Sequence, residues 1–130
     1  MKTKFLIRYH HDIVTIPVKI NISVVQDRDV LYNRVLDLQC YFSPLLIEFE
    51  FQKLSPIKLM FETDYRQIHD SPLYIDRIEL DELLDIPFIV HSGFLETKDH
   101  NTDTGNCLYT TGRLSYNFLL PLCSNCRIFE

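Results

Sequence analysis

The residues with the clearest potential for chemistry are cysteines, and two of them are spaced as zinc ligands are. Cys123 and Cys126 form a Cys-x-x-Cys pair, the spacing of zinc knuckles and of thiol oxidoreductases. A structural zinc ion needs two further ligands, which Cys107 and either His100 or His91 could supply by type. There is no second Cys-x-x-Cys pair, and the first does not begin a helix that would stabilise a thiolate. Free structural thiols are therefore the favoured interpretation, with zinc as the alternative.

A polar segment near residue 100 alternates oxygen-bearing side chains as a calcium loop does. Asp99, Asn101 and Asp103 are followed by Gly105. The glycine comes one place later than in the EF-hand pattern, and Thr110 stands where that pattern has glutamate. A polar turn rich in Asn, Asp and Thr is the favoured interpretation.

The sequence offers no catalytic motif. Five histidines are scattered along the chain, and there is no Gly-x-Ser-x-Gly, His-Glu-x-x-His or glycine-rich phosphate loop. An active site needs a nucleophile with a base and an orienting group in reach of one another. We therefore predict no catalytic residues, and an enzyme whose site is invisible as a motif remains an alternative.

Composition and charge narrow the class of partner. The 130 residues are 46 % hydrophobic and carry a net charge of -5, as expected of one folded domain over 1–130. Between Glu62 and Asp103 there are eleven acidic and three basic residues, a local charge of -8, so the rest carries +3. Phosphate neutralisation requires clustered Lys and Arg. General nucleic-acid binding is therefore disfavoured, and a basic partner suits the acidic section unless that section is simply solvated surface.

A regular alternation from Val14 to Val24 predicts the strand around which the fold is organised. Every second residue there is apolar, the period of a strand buried on one face. Pro17 cannot donate a backbone hydrogen bond, so its part of the strand is expected at an edge or beside a bulge. Lys4 to His10 alternates in the same way, and the short His11-Asp12 link predicts a hairpin between the two strands.

The middle of the chain predicts a short helix followed by a meander. Apolar residues at helical spacing predict a helix over 30–35, and the next alternation predicts a strand over 36–42. Strands over 46–51 and 57–62 form the clearest predicted pair. A five-residue loop between them would align apolar residues on one face and opposite charges on the other.

The remainder of the chain mixes strand and helix patterns, and Pro87 is expected to end the element before it. The last clear alternation runs from Arg113 to Leu120. The predicted elements are, in order, a strand beginning at Leu73, a short helix over 78–84, a strand over 88–90, a loop over 96–106 and a hairpin of 107–111 with 113–120.

These elements predict an α+β domain that is β-rich, with a mostly antiparallel sheet and one or two short helices. The alternative is an all-β sandwich. No signal-peptide core follows Met1 and no apolar run is long enough to span a membrane. The expected location is therefore intracellular, in the cytoplasm or the nucleus.

For function, the sequence favours a non-enzymatic protein-interaction module, such as a small subunit or adaptor of a larger assembly. The absence of catalytic motifs, the uneven charge and the expected free edge at Pro17 support this hypothesis, because an exposed edge can accept an extended segment by β-addition. The alternative is a zinc-stabilised domain that uses Cys107, Cys123, Cys126 and His100. The predicted partner-binding residues are Pro17, the acidic residues Glu79, Asp81, Glu82 and Asp85, and the apolar anchors Ile86 and Phe88.

Overall fold

The strands account for nearly all of the part of the chain that the structure describes. The computed structural model describes residues 2–11, 19–37, 44–53, 55–63, 72–80, 84–85, 93–97, 102–108 and 111–118. Its strands are β1 Lys2–His10, β2 Lys19–Gln26, β3 Asp29–Asp37, β4 Leu45–Glu50, β5 Ile57–Thr63, β6 Leu73–Leu80, β7 Leu84–Asp85, β8 Gly93–Thr97, β9 Thr102–Gly105, β10 Cys107–Leu108 and β11 Gly112–Phe118. No membrane-spanning helix is found among these residues.

The strands form two antiparallel sheets. Sheet A has the order β10-β6-β1-β4, with β7 paired to β6, and sheet B has the order β3-β2-β5-β11-β8-β9. The prediction of a β-rich, antiparallel domain is confirmed. The predicted short helices are wrong for the described residues, which contain no helix, so the all-β alternative is the one that fits.

The inner faces of the two sheets share one hydrophobic core. Along β1 the residues Phe5, Ile7 and Tyr9 are buried while their neighbours are exposed or half-buried. The Phe5 ring stacks on Phe49 of the same sheet at 5.5 Å between centroids and meets Phe118 of sheet B at 5.1 Å. The alternating apolar residues therefore create the contact between the sheets.

The predicted reference strand is described from Lys19 onward, where it forms β2. Ile20, Ile22 and Val24 are buried as the alternation predicted. Strand β2 lies between β3 and β5, and Pro17 is outside the described residues. The predicted hairpin with β1 is wrong, because β1 belongs to sheet A and β2 to sheet B.

The predicted helix over 30–35 is a strand, β3, that pairs with β2. The register places Val24 opposite Tyr32 and Val25 opposite Val30, so Leu31 is the extra residue of a β-bulge. The bulge makes Leu31 and Tyr32 both half-buried although they are consecutive. Consecutive apolar residues break the period of two, which is why the segment resembled a helix.

The predicted pairing of 46–51 with 57–62 is wrong, although its buried face is right. Strand β4 pairs with β1 in sheet A, and β5 pairs with β2 and β11 in sheet B. Glu50 therefore lies opposite Lys2, with Nζ and Oε1 3.7 Å apart, instead of opposite Lys58. Two strands whose apolar faces meet across a sandwich alternate just as two neighbours in one sheet do. Alternation alone cannot separate these arrangements.

Three further elements differ from the predictions. Residues Leu73–Leu80 form one strand, so the helix expected from 78 onward is wrong over its described part. The loop expected over 96–106 contains β9 and the last two residues of β8, and these strands pair with each other. The predicted last hairpin is wrong because β10 pairs with β6 in sheet A while β11 lies in sheet B. Leu114, Tyr116 and Phe118 nevertheless share one face of β11, as the alternation predicted, and all three are buried. The strand predicted over 88–90 lies outside the described residues.

Candidate binding face on sheet B

The outer face of sheet B carries two neighbouring rows of side chains that cross the strands. On β2, β5, β11 and β8 one residue in two faces the core, so the residues between them point outward. Because antiparallel partners have side chains on the same face, the registers define which outward residues lie side by side.

The first of the two rows, here named the polar row, has one residue on each of five adjacent strands. Asn21 lies opposite Glu62, Glu62 opposite Arg113, Arg113 opposite Glu96 and Glu96 opposite Thr102. Strands are about 4.8 Å apart, so the polar row extends over about 19 Å. It places two carboxylates, a guanidinium, an amide and a hydroxyl in one line.

An ion pair fixes the centre of the polar row. The Nε atom of Arg113 donates a hydrogen bond of 2.8 Å to Oε2 of Glu62, and both side chains are a little over 40 % exposed. The guanidinium has five N–H donors, and this bond uses one of them. The pair therefore holds Arg113 in place while the rest of its fork can meet a ligand.

A groove of about 620 Å³ follows the same part of the face. It is lined by Lys19, Asn21, Val35, Glu62, Thr63, Glu96, Thr97, Thr111, Gly112 and Arg113. Within the described part of the chain, the Oδ1 atom of Asn21 and the Oγ1 atom of Thr111 are buried without a hydrogen-bond partner. Unsatisfied buried polar atoms are uncommon in folded proteins, and two of them border this groove.

Gly112 allows β11 to lie close to the backbone of β8 beside the groove. A Cβ atom at this position would overlap the carbonyl oxygen of Glu96 and would lie 3.0 Å from the Cα atom of Thr97. Glycine therefore permits the close approach of β11 to β8 at the point where their outward side chains enter the groove.

The second row, here named the serine row, adds two apolar side chains, Met60 and Phe94, beside the polar row. Its members on β2, β5, β11, β8 and β9 are Ser23, Met60, Ser115, Phe94 and Thr104. Both serines are buried, so they offer little surface to a ligand. Phe94 is 41 % exposed and lies two residues from Glu96 on the same face of β8. An exposed ring thus borders the carboxylates and the guanidinium.

The arrangement can bind a ligand that has both polar and apolar surfaces. Carboxylates accept hydrogen bonds and a guanidinium donates them, while an exposed aromatic ring offers flat apolar area. Ligand sites generally combine an apolar wall with a few directed polar groups. The groove is open to solvent.

A histidine and carboxylate pair lies on the outer face of sheet A. The Nδ1 atom of His10 is 2.7 and 2.8 Å from the two carboxylate oxygens of Asp76, and the imidazole stacks on Tyr74 at 4.7 Å. A carboxylate orients the histidine of catalytic triads in this manner. Here both partners are exposed, with side chains 60 % and 42 % accessible, so water screens their interaction.

The predicted partner-binding residues are described only in part. Strand β7 pairs Asp85 with Glu79 across the edge of β6, which brings these two predicted residues together at the backbone. Glu79 forms an ion pair with Arg77, in which Oε1 of Glu79 and Nε of Arg77 are 3.0 Å apart. Pro17, Asp81, Glu82, Ile86 and Phe88 lie outside the described residues, so the prediction of this surface stays a prediction.

One of the predicted metal ligands is described. Cys107 has a free thiol, half-buried beside Tyr74. Burial raises the pKa of the Cys107 thiol, and a hydrogen bond with Tyr74 partly opposes this. His100, Cys123 and Cys126 are outside the described residues, and the described ones contain no group of three residues able to hold a metal ion. Zinc stays an untested alternative.

The polar row was not predicted from the sequence. Its members are separated by up to 92 positions, from Asn21 to Arg113, and only the strand order places them side by side. The available signal was the polar half of each alternation, which identifies outward residues but not their neighbours.

No protein-family model matches the sequence, and comparison with curated proteins also found no match. Among solved structures, the chain is similar to one described as vCBM60 in complex with galactobiose, with a TM-score of 0.54 and 10 % sequence identity. The match covers 90 % of this chain and 99 % of the other. This likeness shows the fold. The neighbour's structure contains galactobiose, and at this identity its ligand is a property of the neighbour alone.

Proposed function

We propose that this chain is a non-enzymatic binding domain that holds an uncharged oligosaccharide against the outer face of sheet B. The observation that carries the proposal is that a row of charged side chains and a row with an exposed aromatic ring lie side by side. The polar row presents Glu62, Arg113 and Glu96, and the serine row presents the exposed ring of Phe94 directly beside them.

The chemistry of a sugar matches this combination. A pyranose ring has hydroxyl groups around its rim and a face of C–H bonds, so it can exchange hydrogen bonds at its edge while its face rests on an apolar ring. Carboxylates and guanidinium groups form the stronger charge-assisted hydrogen bonds with such hydroxyls. The aromatic ring supplies area that is removed from water on binding.

The charge of the polar row favours a neutral ligand. Arg113 stands between Glu62 and Glu96, and its Nε atom is already bonded to Glu62. An acidic sugar placed at Arg113 would meet a carboxylate on each side, and like charges repel. The fold neighbour's galactobiose is also an uncharged sugar, which makes it a reasonable first probe.

Isothermal titration calorimetry with galactobiose and a panel of neutral oligosaccharides tests the proposal. We expect at least one member to bind, and Phe94→Ala to weaken that binding about tenfold or more, which corresponds to about 1.4 kcal/mol. Val30→Ala is the matched control, because Val30 is a 62 % exposed apolar side chain on β3, outside both rows. If no neutral sugar binds, or if both variants weaken binding equally, the proposal is wrong.

The protein-interaction module predicted from the sequence is the second candidate function. Exposed apolar residues on two edge strands favour it, since three of the four large hydrophobic side chains exposed among the described residues are Val30, Val35 and Leu46. An exposed edge strand can pair with a strand of another protein, and such a partner would cover apolar side chains on that edge. A partner that binds at Leu46 on β4 of sheet A and leaves the outer face of sheet B accessible would make both functions compatible.

A further inference from the structure

The two carboxylates beside Arg113 differ in what they bind. Glu62 on β5 and Glu96 on β8 both lie opposite Arg113 in the strand register. Glu62 accepts the hydrogen bond of 2.8 Å from the Nε atom of Arg113. Glu96 is exposed, and its side chain makes no hydrogen bond or ion pair within the part of the chain that the structure describes. Arg113 therefore has one carboxylate that holds it and a second one that can meet a ligand.

The backbone that carries Glu96 is fixed on both sides. Strand β8 pairs with β11, where Glu96 lies opposite Arg113, and with β9, where Glu96 lies opposite Thr102. Two residues earlier, the Ser115 hydroxyl donates to the Phe94 carbonyl oxygen at 3.4 Å, which is a further link between β8 and β11. Sites built on strands are more precise than sites on loops. Glu96 is thus well placed although its carboxylate has no partner.

Glu96 and Phe94 together define a position for one sugar ring. They lie on the same face of β8 two residues apart, so their Cα atoms are separated by about 7 Å. Arg113 lies across from Glu96, at a Cα separation of about 4.5–5.5 Å. A ring that rests on Phe94 therefore meets a carboxylate and a guanidinium at its rim. The carboxylate accepts hydrogen bonds only, and the guanidinium donates them only.

We infer that Glu96 binds the sugar directly, and that Glu62 is a positioning residue that holds Arg113. The ligand is a neutral sugar with two neighbouring ring hydroxyls, of which one donates to Glu96 and the other accepts from Arg113. This inference rests on the proposed oligosaccharide site and assigns the roles of its two carboxylates. A hydroxyl that binds Glu96 displaces only water, whereas one that binds Glu62 shares that carboxylate with Arg113.

The same substitution on the two sides of Arg113 tests these roles. Calorimetric titration compares the unchanged protein, Glu96→Gln and Glu62→Gln, with galactobiose, cellobiose, maltose and mannobiose as the disaccharides of the neutral panel. We expect Glu96→Gln to weaken the tightest of them about tenfold or more, because a charge-assisted hydrogen bond is lost. Glu62→Gln should stay within about threefold, because the glutamine oxygen still accepts the bond from Arg113. Equal losses, or no loss in Glu96→Gln, would overturn the inference.

The substitution Glu62→Ala tests the positioning role by itself. It removes the acceptor that holds the Nε atom of Arg113, so it should weaken sugar binding clearly more than Glu62→Gln does. Recovery of affinity by the conservative variant is expected of a positioning residue. If Glu62→Ala and Glu62→Gln bind sugar equally well, the bond to Arg113 does not matter for binding and the assigned role of Glu62 is wrong.

Monodeoxy analogues of the tightest-binding disaccharide identify the hydroxyl that meets Glu96. The analogue that lacks it should bind the unchanged protein about tenfold more weakly than the parent sugar. Glu96→Gln should cause no further loss with that analogue, because both changes remove the same hydrogen bond. If Glu96→Gln weakens every analogue by the same factor as the parent sugar, Glu96 does not contact the sugar and the inference is wrong.

These measurements separate a failure of this inference from a failure of the proposed function. If no neutral sugar of the panel binds the unchanged protein, the proposed function is wrong and the inference is wrong with it. If a sugar binds and Phe94→Ala weakens it while Glu96→Gln does not, only the role assigned to Glu96 is wrong. The urea unfolding midpoint of each variant shows that it is folded.

Discussion

Asn106 binds both backbone groups of Ile75. Its side-chain Nδ2 atom donates to the backbone carbonyl oxygen of Ile75 at 2.9 Å. The backbone carbonyl oxygen of Asn106 accepts a hydrogen bond from the Ile75 N–H at 2.8 Å. Asn106 stands between β9 of sheet B and β10 of sheet A. Ile75 belongs to β6, an inner strand of sheet A. The two bonds therefore attach the link in which the chain passes from sheet B to sheet A to that inner strand.

The side-chain bond of Asn106 predicts a measurable loss of stability when it is removed. Asn106→Ala leaves the Ile75 carbonyl without this donor, which we expect to lower the free energy of unfolding by about 1–2 kcal/mol. Urea unfolding measures this change in the free energy of unfolding. Asn117→Ala, an exposed position on β11, is the control and should change stability by less than about 0.5 kcal/mol. Equal effects of the two substitutions would show that the bond is unimportant.

Gln26 has a comparable role at the turn between β2 and β3. Its side chain is buried, and Nε2 donates to the carbonyl oxygens of Lys53 and Ser55 at 2.9 and 3.0 Å. We expect Gln26→Ala to cost about 2 kcal/mol, because two carbonyls lose a donor and a small cavity forms.

The matched change is Gln52→Ala, since Gln52 is exposed in the connection between β4 and β5 that accepts the two bonds from Gln26. Thermal unfolding at several protein concentrations measures both variants. If Gln26→Ala is no less stable than Gln52→Ala, the bonds from Gln26 do not hold the connection.

Tyr116 predicts a loss of stability at alkaline pH. Burial raises the pKa of the Tyr116 hydroxyl above its ordinary value of 10.0, and the nearby Cys107 thiol adds to the effect. Below pH 10 both the folded and the unfolded chain keep the proton. Above it the unfolded chain releases the proton first, so the free energy of unfolding falls with pH, by up to about 1.4 kcal/mol per pH unit for one group.

The substitution Tyr116→Phe should make this decline shallower, because it removes the group that titrates. Urea unfolding between pH 8 and about pH 11 measures the slope in the range where tyrosine ionises. Tyr32→Phe on the edge strand β3 is the control. A slope that is the same in Tyr116→Phe as in the unchanged protein would exclude Tyr116 as its source.

The length of the polar row predicts how affinity depends on oligosaccharide length. Because the row extends over about 19 Å, several sugar units can contact it at once. Affinity should therefore rise from the monosaccharide through the short oligomers of one series and then level off. Thr102→Val, at the β9 end of the row, should weaken the longer oligomers and leave the shortest unchanged. Equal affinity for all lengths would indicate that a single sugar unit is bound.

The residues of each strand that face the core could be predicted from the sequence, but the pairing of the strands could not. Alternation correctly identified Ile47, Phe49, Leu59 and Phe61 as core residues. It failed on their partners, because strands that face each other across a sandwich show the same pattern as strands that are hydrogen-bonded neighbours. The bulge at Leu31 shows a second limit, since one inserted residue changes the period on which the prediction depends.

The candidate site was less accessible to sequence analysis for a related reason. Glu62 and Arg113 were visible only as polar residues on separate strands, and their hydrogen bond of 2.8 Å results from the pairing of β5 with β11. No strand was predicted at Phe94, which directly precedes the segment predicted as a loop. The sequence therefore did not predict that its ring is exposed on the same face as Glu96. The rows exist only once the strand order is known.

A crystal structure of the protein soaked with the tightest-binding oligosaccharide of the panel tests the central claim most directly. We predict that the sugar lies across the strands of sheet B, with hydroxyl groups within hydrogen-bond distance of Glu62, Arg113 or Glu96 and one sugar face on the ring of Phe94. A sugar bound on sheet A or away from both rows would contradict the account.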